Sequence, residues 1–399
     1  MSRGSGNQNQ DLPEDELCNS GLTPTTCFHG GSFFDVAGAD FRGLDKTRTI
    51  ICADTLDAWF PPAPRVVEVL REHLPWLIRT SPPIYAEGMV KKIAETRGIN
   101  PACILPGAGS SDLMYLAFLR WLNRSSRALI LDPTYGEYAH ILKNVVGCRV
   151  DRLTLRREAK YALDIALLSA CLKNGYDLVV LVNPNSPTGH YVPRAELEEV
   201  LLRLPPRTRV WIDESYVEFV GPDASLERFA ATHANVIVGK SMSKVYALSG
   251  VRAAYLCAVR PVIEELKAMV PPWSISLPAQ LAAVTALDCF DYYTQRYRQT
   301  RDLRGALTAR LEGRTDMQII PGTANFLLAH LSERGPDAAT LVENCRGRGL
   351  LVRDASNMGC EIGSRAIRIT IQDAETNQAI AKILTEALLD LNVAKTPSA

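Results

Sequence analysis

Short apolar runs alternate with amphipathic stretches from about Val66 to Ala258. The clearest runs are Ala128 to Leu131, Leu178 to Val182, Arg209 to Ile212, Asn235 to Val238 and Ala253 to Ala258. Between runs of this kind lie helix-like patterns such as Ser111 to Leu122 and Arg194 to Leu204. Successive side chains of a strand point to opposite faces, so an unbroken apolar run flanked by helices predicts a strand covered on both sides. The pattern therefore predicts a mostly parallel, doubly wound α/β domain.

The pattern changes after Pro278. A long helical stretch to about Glu312 precedes strands expected near Met317 to Ile320, Phe326 to Ala329, Leu350 to Arg353 and Ile367 to Ile371, with a last helix over Thr376 to Leu391. These predict a second, smaller α+β unit. On this division 1–28 is a flexible tail, 29–64 an N-terminal arm with part of the small domain, 65–277 the large domain, and 278–399 a linker helix with the C-terminal small domain.

Composition narrows the classes. The 399 residues carry 44 Lys plus Arg against 44 Asp plus Glu and are 47% apolar. A balanced charge offers nothing to nucleic acid or to an anionic membrane, and the apolar runs are too short to span a bilayer. The polar start, Met1 to Gln10, lacks the apolar core of a secretory leader. Ten single cysteines without a Cys-x-x-Cys pair, and six dispersed histidines, argue for reduced thiols and against a metal site. The expectation is a soluble, globular protein of the cytoplasm.

Candidate chemistry gathers directly after the apolar runs, where open α/β sheets bind ligands. Gly239-Lys240-Ser241-Met242-Ser243-Lys244, with Arg252 after it, places an amine among hydroxyls and a guanidinium. That set suits a phosphorylated aldehyde: Lys244 condenses with the carbonyl, while Ser241, Ser243 and Arg252 hold the phosphate. Such a cofactor is pyridoxal phosphate. Alone, the segment is equally an ordinary solvated turn, so its companions matter. Gly109-Ser110-Ser111 opens a helix at which backbone N–H groups and hydroxyls meet an anion. Tyr135 follows the Ala128 run and offers a ring for stacking, and Asn183-Pro184-Asn185-Ser186-Pro187-Thr188-Gly189 forms a rigid turn after the Leu178 run. Asp213, after Trp211-Ile212, suits a pyridinium nitrogen, and Tyr216 the phenolic oxygen of the same ring.

In this order the motifs resemble the class I and II aminotransferase family, the fold type I pyridoxal-phosphate enzymes, over roughly Phe28 to Leu391. The pattern is most similar to the histidinol-phosphate aminotransferase and threonine-phosphate decarboxylase branches. The resemblance implies a large domain with a seven-stranded sheet and a smaller α+β domain, assembled as a homodimer. It implies Lys244 as the cofactor lysine and Ser110, Ser111, Tyr135, Asn185, Asp213, Tyr216, Ser241, Ser243 and Arg252 as cofactor-binding residues. It assigns substrate anions to Arg353, Arg368 and His29, the last in a His29-Gly30-Gly31 segment similar to that of the decarboxylases. Two departures stand out: Ser186 occupies the place of the family's asparagine before Pro-Thr-Gly, leaving Asn185 or Ser186 to reach the ring oxygen, and Ser81 replaces a tyrosine lent to the neighbouring subunit. The leading expectation is decarboxylation of an amino acid bearing phosphate or phosphonate, with transamination of a doubly anionic amino acid as the alternative. A catalytically silent binding module is opposed by the intact Lys244, Asp213 and Tyr135.

Overall fold

A computed structural model of the chain describes residues 31–205 and 207–393. His29 and the tail over 1–28 lie outside the described residues.

The strands are β1 (Ile51–Ala53), β2 (Ile104–Gly107), β3 (Arg127–Asp132), β4 (Arg149–Thr154), β5 (Leu178–Val182), β6 (Arg209–Asp213), β7 (Val236–Ser241), β8 (Ala254–Cys257), β9 (Gln318–Ile320), β10 (Phe326–His330), β11 (Leu350–Asp354) and β12 (Ala366–Thr370). Seven form a sheet in the order β2-β8-β7-β6-β5-β3-β4, parallel except at β8, which runs against both neighbours. The mostly parallel sheet expected from the sequence is present.

Why these segments are strands is visible in β5. All five residues are buried, with Leu178, Val180 and Val182 packed into one core and Val179 and Leu181 into the other. Each such side chain contributes about 1.5–3 kcal/mol on burial, so slippage by one residue gains nothing and helices must cover both faces. β2 and β4 escaped the sequence pattern. β4 reads Arg-Val-Asp-Arg-Leu-Thr at the sheet edge, and β2 ends in Pro106-Gly107.

The second sheet has the order β1-β11-β12-β10-β9. Its parallel member β1 comes from the N-terminal part of the chain and pairs Cys52 with Leu351. The stretch after Pro278 is two helices, Leu277–Asp288 and Phe290–Glu312, broken at Cys289. Among the described residues no helix is long and apolar enough to cross a membrane. Seven of the cysteines are free thiols, but Cys360 is disulfide-bonded, contrary to the reduced state expected for all ten.

Candidate active site

The ends of β3, β5, β6 and β7 face a cavity of about 590 Å³. Ser110, Tyr135, Ser186, Asp213, Tyr216, Ser241, Lys244, Arg353 and Arg368 all line it. Residues scattered over more than half of the sequence thus converge because four parallel strands end together.

Lys244 lines the cavity and is half-buried. Burial lowers its pKa from the ordinary lysine value; Asp57 opposes this, while Arg252 and Arg368 add to it. A larger share of the amine is then uncharged, the form that attacks a carbonyl.

The helix Ser110–Trp121 begins at Gly109, which has φ +105° and makes no side-chain cap. A Cβ there would lie 2.4 Å from Nη2 of Arg252, so the glycine leaves space that the guanidinium occupies. Arg252 in turn donates to the Ser249 carbonyl at 3.0 Å and to Ser243 Oγ at 3.4 Å, and Ser243 N–H donates to Ser241 Oγ at 3.3 Å. Ser111, Ser243 and Arg252 therefore stand around the cavity wall rather than on it.

Asp213 is held by three donors. Tyr138 hydroxyl donates to Oδ2 at 2.7 Å, while Ser215 donates to Oδ1 through its N–H at 2.9 Å and its hydroxyl at 2.6 Å. Trp211 Nε1 donates to the Tyr138 oxygen at 3.0 Å, so the phenol is itself aimed. Burial raises the Tyr138 pKa well above the ordinary tyrosine value and the Asp213 charge raises it further, which keeps its proton on the bond. The sequence reading missed Tyr138 and also Glu137, which accepts from Tyr135 hydroxyl at 2.8 Å and Ser111 Oγ at 2.9 Å. Tyr138 meets Asp213 and Trp211 from a distant segment, which spacing along the chain does not show.

Asn185 does not reach the cavity. Its amide donates to the Pro133 carbonyl at 2.9 Å and to Thr188 Oγ1 at 3.2 Å, and its oxygen accepts from Thr134 at 3.1 Å. Those bonds tie the β3 and β5 turns together, and of the two residues Ser186 alone lines the cavity. Ser186 Oγ accepts from Arg368 Nη1 at 3.3 Å.

Arg353 and Arg368 sit directly opposite each other on β11 and β12, and each is 5% exposed. Arg368 also donates to the Asp54 carbonyl at 3.1 Å. Burial pushes its guanidinium down to about 10, and the charge of Arg353 acts in the same direction. The described end of the N-terminal arm arrives here, with Gly31 and Ser32 N–H donating to Asp54 Oδ2 at 2.9 Å.

Pyridoxal phosphate fits this donor set: hydroxyls and a guanidinium beside the helix start at Gly109, an amine of lowered pKa, and an anchored carboxylate. The sheet and these strand-end residues define a fold type I pyridoxal-phosphate enzyme. The chain belongs to the aminotransferase class I and II family, whose model matches residues 59–384. A histidinol-phosphate aminotransferase of Moorella thermoacetica is 26% identical over 334 residues, 82% of each chain. The histidinol-phosphate aminotransferase of Sinorhizobium meliloti, solved in complex with pyridoxal-5'-phosphate, superposes with TM-score 0.81 at 21% identity over 94% of this chain and 99% of that one. The L-threonine-O-3-phosphate decarboxylase of Porphyromonas gingivalis gives 0.73 at 24% identity over 85% and 99%. At those identities the two solved structures speak to the fold.

The comparisons overturn the expectation of decarboxylation. Curated relatives in other bacteria bear the aminotransferase name as well. The physical reason is that two arginines record the substrate's charge, whereas bond choice depends on a torsion about its α-carbon that charge alone does not set.

Proposed function

We propose that the chain is an aminotransferase of the histidinol-phosphate aminotransferase kind, passing the amino group of a doubly anionic substrate to 2-oxoglutarate or pyruvate. The named relatives support amino transfer, and the opposed pair Arg353 and Arg368 supports a doubly anionic substrate. Like charges directly across a sheet repel. Arg368 has no carboxylate partner among the described residues, so a substrate carboxylate or phosphate is the natural counter-charge.

Pyridoxal phosphate, when bound, supplies an aldehyde and a ring that draws electrons from the substrate α-carbon. Ser110 and Ser241 would hold its phosphate end, with Ser111, Ser243 and Arg252 around them, and Tyr135 would stack on the ring. Asp213 keeps a proton at the ring nitrogen, while Tyr216 and Ser186 donate toward the ring oxygen. Lys244 gives up its place to the substrate amine and then serves as the base at the α-carbon, moving that proton within the enclosed site.

We also propose a homodimer, supported by the exposed Leu74, Trp76, Ile78, Ile84, Tyr85, Met269 and Trp273. Sedimentation of the purified protein at a single-chain mass would overturn it.

The test of function is to supply the holoenzyme with histidinol phosphate, and separately with phosphorylated amino acids, each with 2-oxoglutarate and, in a parallel assay, with pyruvate. Glutamate formed mole for mole with substrate consumed is expected. Carbon dioxide without glutamate, or no amino transfer to either acceptor, defeats the reading.

A further inference from the structure

Behind the strand ends lies a group of buried charges that the proposed reaction leaves unused, and none of them lines the cavity. Lys240 Nζ lies 2.8 Å from Glu218 Oε1, 3.4 Å from Glu214 Oε2 and 3.6 Å from Glu227 Oε2. Arg97, ending the helix Glu87–Arg97, donates through Nη2 to Glu218 Oε1 at 2.9 Å and to Tyr246 hydroxyl at 3.0 Å. Its Nε donates to Tyr255 hydroxyl at 3.1 Å and lies 3.7 Å from Glu227 Oε2. Tyr255 donates to Glu227 Oε1 at 2.6 Å, and Leu226 N–H donates to Glu214 Oε1 at 2.7 Å. Ser225 hydroxyl reaches both Glu214 and Glu227.

This arrangement is costly. Two cations and three carboxylates leave water together, and an apolar cluster of the same volume would often be as stable or more so. Burial works against the Lys240 charge, yet three carboxylates hold its pKa above the ordinary lysine value. Burial alone would raise Glu227, but Lys240 and Arg97 hold it down to about 2.

What the network adds over an apolar cluster is direction. Three members adjoin a residue of the site: Glu214 follows Asp213, Lys240 precedes Ser241, and Tyr246 lies two residues beyond Lys244. The backbones agree, since Asp213 is in register with Gly239 and Glu214 N–H donates to the Gly239 carbonyl at 2.9 Å. Because strand neighbours face opposite ways, drawing Glu214 and Lys240 together behind the sheet turns Asp213 and Ser241 toward the cavity.

We propose that Lys240 and Glu214 are a positioning pair for the cofactor site, clasping the ends of β6 and β7 so that Asp213, Ser241 and Lys244 are aimed at the cofactor. The inference rests on the roles proposed for Lys244 and Asp213. An independent control covers those roles: a visible cofactor absorption band that persists in Lys244→Ala would refute the lysine assignment, whatever Lys240 does.

The experiment compares the parent, Lys240→Met, Lys240→Arg, Glu214→Gln and the charge-balanced double variant Lys240→Met/Glu214→Gln. Three quantities are read: the unfolding temperature of the cofactor-free protein, the dissociation constant for pyridoxal phosphate, and the visible band of the bound cofactor. Lys240→Met leaves three carboxylates facing one cation and unfolds at lower temperature. The double variant removes one charge of each sign and regains that stability. Its cofactor constant nevertheless stays raised by roughly tenfold or more and its band stays shifted, because the clasp is gone. Lys240→Arg, which keeps the charge, restores both. A double variant whose constant and band return to parental values along with its unfolding temperature would show a purely structural role and overturn the proposal. If the double variant does not fold, Glu214→Gln decides, since its amide oxygen still accepts from Leu226 N–H: an unchanged constant and band overturn the proposal, and a raised constant supports it.

Discussion

At the scale of single residues, the site is made by enclosing groups that prefer water and then limiting what they can do. Lys244 shows the cost. In the unfolded chain its amine is protonated up to its ordinary value of 10.5, while in the folded protein burial releases the proton earlier. Between those two values the unfolded state binds more protons, so stability rises with pH there and the buried ammonium is a penalty below. Lys244→Met should therefore raise the unfolding temperature of the cofactor-free protein at neutral pH while abolishing turnover, and calorimetry checks the first half. Tyr138→Phe removes a donor to Asp213 and strands the Trp211 N–H, a loss of about 1–3 kcal/mol, readable as a lower denaturant midpoint with weaker cofactor binding. Arg368→Lys keeps the charge but loses the planar fork. Its expected mark is a KM raised roughly tenfold to a hundredfold, with a smaller change in kcat.

At the scale of elements, strand ends and the turns after them place the chemistry. The turn at Gly109 has no room for change. A methyl there must adopt φ +105° and displace Arg252, so Gly109→Ala should lose about 1–3 kcal/mol of stability together with most cofactor affinity, measured by equilibrium dialysis. The loop carrying Ser356 to Cys360 packs just as closely, for a Cβ on Gly359 would fall 2.5 Å from Asp132 Oδ1 and 2.6 Å from Pro133 Cβ. This scale was also where the sequence could be read. β5, β6 and β7 announced themselves as continuous apolar runs, and Lys244, Asp213 and Tyr135 were found because each follows one. β4 was hidden because an edge strand tolerates Arg149, Asp151 and Arg152. Asn185 and Ser186 stayed open because a turn's composition does not say which way its amide points. Tyr138, Glu137 and the Lys240 network were invisible because their importance lies in contacts between segments far apart in the chain.

For the whole molecule, the buried charges set a pH signature. Glu227, held down to about 2 from an ordinary 4.5, contributes stability that is present above 4.5 and is lost as pH falls toward 2. Glu214 runs the other way. Burial pushes it up to about 7 against the pull of Lys240, so its contribution is full below 4.5 and is lost as pH rises through 7. Urea unfolding across roughly pH 4 to 8 should show that decline in the parent and a flatter profile in Glu214→Gln. An identical slope in both would remove Glu214 from the account.

The facing arginines of β11 and β12 reach beyond substrate choice. Two guanidinium groups held abreast by a rigid sheet present a binding face to small dianions. Sulfate or inorganic phosphate will then compete with substrate and raise the melting temperature with concentration, following the logarithmic law of a ligand that favours the folded form. On the proposed reading an anionic product is held by the same pair, so its release would weigh on turnover as bond breaking does.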